Sequence, residues 1–335
     1  MNIFLTGYTG NIGHAVAQEL QDHTVHALVR DPALAPELPN VKLVTGDLEN
    51  LPESLAGEIE IIIHSAADTT FAGSLYDLRR TNTEGTARVL EFARSCPKLR
   101  KLVHLSTTCV CGIQSGEIPE ERLPRPEAFV NAYEQSKWEA EELVFDAGLP
   151  AEIVRLSIVA GSEKDGSVRR TGGLHHALFW LWKGLIPMMP GAPETPLDLI
   201  STEYAARVVA ACAMSAAEPG RILHASAGAA SPQLGDLLEC AGMIFAAKSS
   251  AWRQGSITPP MIVDAHTFAL FEQTVEQSGD ALFRRVCRDS KSFLPGLLHS
   301  RRYCNAKGRA LAGDAHGDWR RLAELVTCHV IDSRS

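Results

Sequence analysis

The sequence predicts an α/β chain: a doubly wound parallel sheet carrying a smaller, mostly helical region. Three observations lead there. The opening M-N-I-F-L-T-G-Y-T-G-N-I-G runs from a short apolar stretch through evenly spaced glycines into a helical pattern. Short apolar runs then recur between segments of helical period. From about Ser231 the pattern is mostly helical.

Taken in order, Ile3, Phe4 and Leu5 form a buried strand, and Gly7, Gly10 and Gly13 follow at G-x-x-G-x-x-G spacing. Ala15, Val16, Glu19 and Leu20 then repeat at helical spacing. Strand, glycine turn and helix is the context of a dinucleotide loop. The first glycine permits the tight turn, and the second lets backbone approach a pyrophosphate seated on the helix N-terminus. Val25 to Val29 is the second strand and ends in Arg30-Asp31-Pro32. An acid at this strand end suits the 2′-hydroxyl of NAD, whereas an arginine pairs with the 2′-phosphate of NADP. Arg30 occupies the strand tip and Asp31 suits a turn before proline, so NADP is expected, with NAD as the second choice.

Val41 to Val44 is the third strand, followed by Gly46-Asp47-Leu48. Asp47 either accepts from an adenine amino group or caps its own turn. Ile59 to Ile63 leads into His64-Ser65-Ala66-Ala67-Asp68, where small side chains let backbone lie close to a dinucleotide. A helix opens at Asn82 and runs to about Ser95. Leu102 to Leu105 is the fifth strand and delivers Ser106, Thr107 and Thr108 to the carboxyl edge, where a doubly wound sheet binds ligands. These hydroxyls either meet a substrate or bond their own backbone. Cys109 and Cys111 read as a continuation of the strand, facing one side.

Tyr133 and Lys137 open the next helix at i, i+4 spacing, on one face. A phenol with an ordinary pKa near 10 is a poor proton carrier at neutral pH, and a neighbouring ammonium favours phenolate. Such a tyrosine can protonate a carbonyl oxygen as hydride reaches the carbon. Ala151 to Leu156 is a sixth strand, with Arg155 near its end. A polar loop covers 162–171, and an amphipathic helix covers 172–182 with His175 and His176 on its surface. Residues 186–196 form a proline-rich loop and Leu197 to Ile200 a short strand. Ala205, Val208, Val209 and Cys212 form a core stripe, and Arg221 to His224 the last strand of the sheet. Loops interrupt the C-terminal helices at 249–260 and around Gly313. Arg169-Arg170 and Arg301-Arg302 are either solvated pairs or contacts for an anionic substrate handle.

The 335 residues suffice for one large α/β domain with a satellite, and the net charge of −8 disfavours a nucleic-acid partner. Eight scattered cysteines without C-x-x-C read as reduced thiols of a cytoplasmic protein. No His/Cys cluster has ligand spacing, so no metal is expected. The apolar stretch A-L-F-W-L-W at 177–182 is too short to span a bilayer, and the fold is expected to begin without a leader.

Together T-G-Y-T-G-N-I-G, H-S-A-A, N-T-E-G-T, S-T-T-C-V-C-G and Tyr133-x-x-x-Lys137 resemble, in this order over residues 1–225, the extended short-chain dehydrogenase/reductase family. H-L-S-T-T-C-V, N-A-Y-E-Q-S-K-W-E-A-E-E-L-V, V-R-L-S-I-V-A-G and P-L-D-L-I resemble its thioester-reductase, male-sterility-type branch. The resemblance implies that Thr107, Tyr133 and Lys137 are catalytic. Thr107 holds the substrate carbonyl, Tyr133 is the general acid/base, and Lys137 binds the nicotinamide ribose. It implies a phosphate loop of Gly7, Thr9, Gly10, Asn11, Ile12 and Gly13. Arg30 then meets the 2′-phosphate, Asp47 and Leu48 the adenine, and Ala66 and Ala67 the ribose wall.

Cys111 departs from the Tyr or Asn common in the family, and the C-terminal part is short for a fatty acyl reductase. Thr108-Cys109 stand where sugar dehydratases carry Asp-Glu, which argues against dehydration. The expected activity is NADPH-dependent reduction of an aldehyde, ketone or acyl thioester. The substrate is then a small molecule or thioester, with a carrier protein or CoA as its handle. Alternatives are a nucleotide-sugar epimerase or alcohol dehydrogenase using NAD, and a non-catalytic NADP-sensing regulator. Residues 1–165 and 200–228 are expected to bind the dinucleotide, and 166–199 with 229–335 the substrate.

Overall fold

The computed structural model describes residues 1–291, 293–314 and 318–333. Among them, seven parallel strands form the central sheet: β1 (Asn2–Thr6), β2 (Thr24–Val29), β3 (Val41–Thr45), β4 (Ile61–His64), β5 (Lys101–Thr107), β6 (Ala151–Leu156) and β7 (Ile222–Ala225). The flanking helices are α1 (Asn11–Glu19), α2 (Leu75–Asn82), α3 (Glu84–Ser95), α4 (Ala132–Phe145), α5 (Gly173–Trp182), α6 (Thr202–Met214) and α7 (Leu234–Lys248). The spatial order is 7-6-5-4-1-2-3. The chain therefore reverses its progress beside β1, and a crevice opens there at the carboxyl edge.

The fold is the doubly wound sheet that the apolar runs predict, because its strands are apolar on both faces. Ile3 and Leu5 pack with Val25, Ala27 and Val103 against α1 and the Ala205, Val208, Val209 and Cys212 stripe of α6. Phe4, out of phase by one residue, joins Ile62, Leu102 and Ile153 against Val89 and Phe92 of α3 on the opposite face. Each such side chain contributes roughly 1.5–3 kcal/mol of burial. At the amino edge, Glu152 pairs with Lys101 at 2.9 Å and Arg221 at 2.6 Å.

A separate core of Leu181, Met189, Leu234, Phe245, Trp252 and Phe268 holds the helical region together. Here the structure departs from the sequence reading. Residues 186–196 are not all loop, since Met188–Pro190 pairs in parallel with Met261–Val263. Leu199–Ser201 pairs with Ile158–Gly161, outside the main sheet. Arg301–Tyr303 pairs with Gly116–Ile118. Three-residue strands carry no readable period, and their partners lie far along the chain. A further helix, α2, precedes the one expected from Asn82, and Ser74 caps it by accepting from the Asp77 amide. No helix among the described residues is long and apolar enough to cross a membrane.

Candidate active site

The glycine loop is built by close approach. Gly7 has φ +76°, and a side chain there would meet the Ala66 amide nitrogen and the Ser65 carbonyl carbon at 2.6 Å. A side chain at Gly13 would collide with the Gly7 carbonyl. The Gly10 amide donates to the Gly7 oxygen at 3.0 Å and sets the turn. Gly10 caps α1 without a side-chain bond, and no acid stands in the first helical turn. The first amides of α1, at Asn11, Ile12 and Gly13, thus open as an anion seat beside Thr9. The Asn11 side chain is itself engaged. Its Nδ2 donates to the Arg170 carbonyl and its Oδ1 accepts from the Arg170 amide, both at 2.9 Å. Loop 162–171 is thereby sewn onto the glycine loop, and Arg169 brings its guanidinium to the Thr9 carbonyl at 3.4 Å.

Around the crevice, Arg30 is exposed at the tip of β2. Asp31 forms a turn, accepting from the Ala33 amide at 2.9 Å. Asp47 caps its own turn, with Oδ1 accepting from the Glu49 and Asn50 amides at 2.9 Å. The Glu49 bond chiefly holds its carboxyl below the usual range, and Arg30 adds to this. Leu48 packs against Gly85 of α3. Ala66 and Ala67 follow β4, and the Ala66 amide donates to Thr6 Oγ1 at 3.1 Å.

Thr107 ends β5, and α4, which carries Tyr133 and Lys137, packs against that strand and the turn after it. Thr107 Oγ1 accepts from the Cys109 amide at 3.2 Å and ends the strand. Thr108–Cys111 is consequently a 3₁₀ turn, not the strand that would turn Cys109 and Cys111 to one side. Cys111 is buried and Cys109 half-buried. α4 starts on an Asn131 cap that accepts from the Glu134 amide at 2.9 Å. This presents Tyr133 beside Phe71, with ring centroids 5.2 Å apart. Burial raises the phenol pKa, and Cys109 and Glu134 add to the rise. Lys137 is not among those influences. Its Nζ donates to the Leu105 carbonyl at 2.8 Å and lies 3.3 Å from His104 Nε2. The ammonium thus faces β5, and the lowering of the phenol pKa expected from Lys137 does not appear. Burial itself lowers Lys137 to about 8.

Several residues here escaped the sequence reading. Glu134 is buried, accepts from the Val130 amide at 3.0 Å, and burial pushes its carboxyl up to about 7. Arg301 is not solvated: it is buried, donates from Nε to the Gln114 carbonyl at 3.2 Å, and approaches Cys109 and Glu134, while Arg302 is exposed. His175 is not on the surface either. It is buried, with Nδ1 accepting from the Gly172 amide at 3.1 Å and Nε2 2.9 Å from the Ala160 carbonyl. Phe293 packs on Trp180 at 6.4 Å, and a side chain at Gly173 would touch both Phe71 and Phe293. This aromatic wall adjoins Tyr133. A shallow depression of about 460 Å³ lined by Val144, Leu149 and Gly220 lies at the opposite, amino edge and has no titratable side chain.

Comparison with known proteins gives the chain's family and fold relatives. Residues 17–209, more than half of the chain, match the male sterility protein family. A hybrid PKS-NRPS synthetase of Penicillium oxalicum is 31% identical over 183 residues, covering 48% of this chain and 4% of the synthetase. A putative fatty acyl-CoA reductase of Drosophila melanogaster is 27% identical over 270 residues, covering 61% of this chain and 50% of that protein. The chain thus spans at most half the length of these two relatives.

Among solved structures, the terminal R domain of the myxalamid PKS-NRPS pathway superposes with a TM-score of 0.79 at 20% identity, covering 99% of this chain and 91% of that domain. A UDP-glucuronic acid 4-epimerase of Bacillus cereus in complex with NAD superposes with a TM-score of 0.71 at 16% identity, over 100% of both chains. At such identities the likeness is one of fold. The chain belongs to the male sterility protein family, within the extended short-chain dehydrogenase/reductases, a group of NAD(P)-dependent oxidoreductases.

Proposed function

We propose that the chain is an NADPH-dependent reductase acting on the carbonyl of a thioester-linked acyl group, with Tyr133 as proton donor. One observation carries this reading: a half-buried phenol at the start of α4, packed beside Phe71, near the Cys109 turn that follows Thr107 and one helical turn from Lys137. The chain's residues suit a dinucleotide. The uncapped α1 N-terminus and the crowded glycines favour a pyrophosphate, and buried Lys137 retains an N–H without a partner among the described residues. Arg30 is placed to select the 2′-phosphate, and Arg169 to add charge beside Thr9. The bound dinucleotide supplies hydride to the carbonyl carbon. Thr107 orients the carbonyl oxygen, and Tyr133 gives its proton to the alkoxide that forms. Because burial raises the phenol pKa, the protonated form prevails at neutral pH, which suits reduction.

The thioester substrate, on a carrier protein or CoA, rests on the two relatives and on the aromatic wall of Phe71 and Phe293. In this reading 1–165 and 200–228 hold the dinucleotide, 166–199 and 229–335 the substrate. The free thiols suit a reducing cytoplasm. The test is NADPH oxidation, compared with NADH, against acyl-CoA thioesters, aldehydes and ketones. Tyr133→Phe should lose about 10²-fold or more in turnover and still bind NADPH. Near-normal turnover in that variant removes Tyr133 from the role. Epimerisation of a nucleotide sugar without added NADPH would select the epimerase reading instead.

A further inference from the structure

We propose that His104 is a positioning residue: its ring takes one hydrogen of the Lys137 ammonium and so directs the remaining one toward the sugar of the bound dinucleotide. The last clause rests on the functional reading above; the bond itself does not. His104 lies in β5, three residues before Thr107, and is 0% exposed. An ammonium has three tetrahedrally arranged donors that rotate together, so two fixed acceptors set the direction of the third. The Leu105 carbonyl takes one at 2.8 Å and His104 Nε2 stands 3.3 Å away for a second. Both acceptors belong to one rigid strand, so the third direction is set by them. Among the described residues that third N–H has no partner, although Lys137 is only 2% exposed. A buried donor left without a partner is destabilising, so the geometry anticipates an acceptor that arrives with a ligand.

The imidazole makes a sacrifice in this arrangement. A ring accepting at Nε2 carries its hydrogen on Nδ1, and His104 Nδ1 is buried without a hydrogen-bond partner. A leucine of similar size would leave no such orphan, so packing alone gives no reason for histidine here. The groups facing the pair are Lys137 and Glu141 of α4 and His64 of β4, whose ring lies 5.3 Å from that of His104. His64 cannot substitute, since its nitrogens meet Thr6 Oγ1 at 2.7 Å and Thr86 Oγ1 at 3.0 Å. Burial keeps both imidazoles neutral, which leaves His104 able to accept.

The test compares His104→Leu, which removes the acceptor, with His104→Gln, which retains one, in the full chain. Two quantities are read: NADPH affinity by nucleotide fluorescence, and the Lys137 titration midpoint by ¹³C NMR of its ε-carbon. The Leu variant should bind NADPH about tenfold more weakly, with the midpoint below that of the wild type because the ammonium has lost an acceptor. The Gln variant should recover both. Wild-type behaviour of the Leu variant, or equal losses in both variants, overturns the proposal. If the Leu variant does not fold, His104→Asn, whose shorter amide falls short of Nζ, takes its place. If the wild type takes up neither NADPH nor NADH, the proposed function fails. The midpoint then decides the His104 bond alone, and a midpoint unmoved by Leu overturns it.

Discussion

Glu134 follows Tyr133 directly, and only 4% of it is exposed. Its carboxyl stands at about 7 against an ordinary 4.5, chiefly through burial, with Arg301 opposing the rise. Between those values the unfolded chain ionises while the folded chain resists, so this residue weakens the fold as pH rises and leaves that loss in place above 7. Glu134→Gln removes the titration and can still accept from the Val130 amide. Its stability advantage over the wild type should therefore grow by roughly 2 kcal/mol between pH 5 and pH 8, read from urea unfolding. A gap that stays constant with pH would mean that the carboxyl ionises normally. The placement of Tyr133 and Lys137 one turn apart on a single helix could be read from the sequence because their spacing is local. Glu134 and Arg301 could not, since a carboxylate after a helix cap and an arginine near a chain end ordinarily stand in water. Only a fold that brings residue 301 beside residue 116 buries them together.

At the scale of elements, loop 162–171 is held from two sides. Arg170 clasps Asn11, and a side chain at Gly166, with φ +72°, would collide with the Leu325 carbonyl of helix Trp319–Asp332. Asn11→Ala removes both bonds to the Arg170 backbone, about 1–2 kcal/mol of local stability. We expect faster proteolysis within 162–171 and a several-fold weaker NADPH affinity, since Arg169 loses its station beside Thr9. Unchanged cleavage would show that the Gly166 contact alone holds the loop. The strands of the sheet were legible because each is a run of four to seven residues built around apolar side chains and bounded by turn residues. Cys109 and Cys111 misled because alternation suggests a strand, whereas the Thr107 hydroxyl captures the Cys109 amide and bends the chain. His175 misled because its two ring nitrogens find backbone partners inside.

For the whole molecule, Arg155 ties the layers to one another. It is fully buried in β6, pairs with Glu141 of α4 at 2.9 and 2.8 Å, and donates to the Glu121 carbonyl at 3.0 Å. The helix bearing Tyr133 and Lys137 is thus pinned to the sheet one residue from the end of β6. Arg155→Met takes from the buried Glu141 carboxyl its paired guanidinium, at a cost of about 3–5 kcal/mol. The measurement is the urea midpoint, and Arg155→Met with Glu141→Leu should restore most of it. If the single variant loses less than about 1 kcal/mol, water reaches Glu141 and the pin is weaker than its geometry suggests.

The pairing of Arg301–Tyr303 with Gly116–Ile118 has a wider implication. The stretch that follows Thr107 and the C-terminal part are far apart in the chain yet meet in one parallel pair. In the function proposed above, substitutions beyond residue 290 can therefore alter the surroundings of Cys109 and Glu134 beside the phenol, and with them which substrates are admitted. One inherited reaction could in this way be fitted to many molecules.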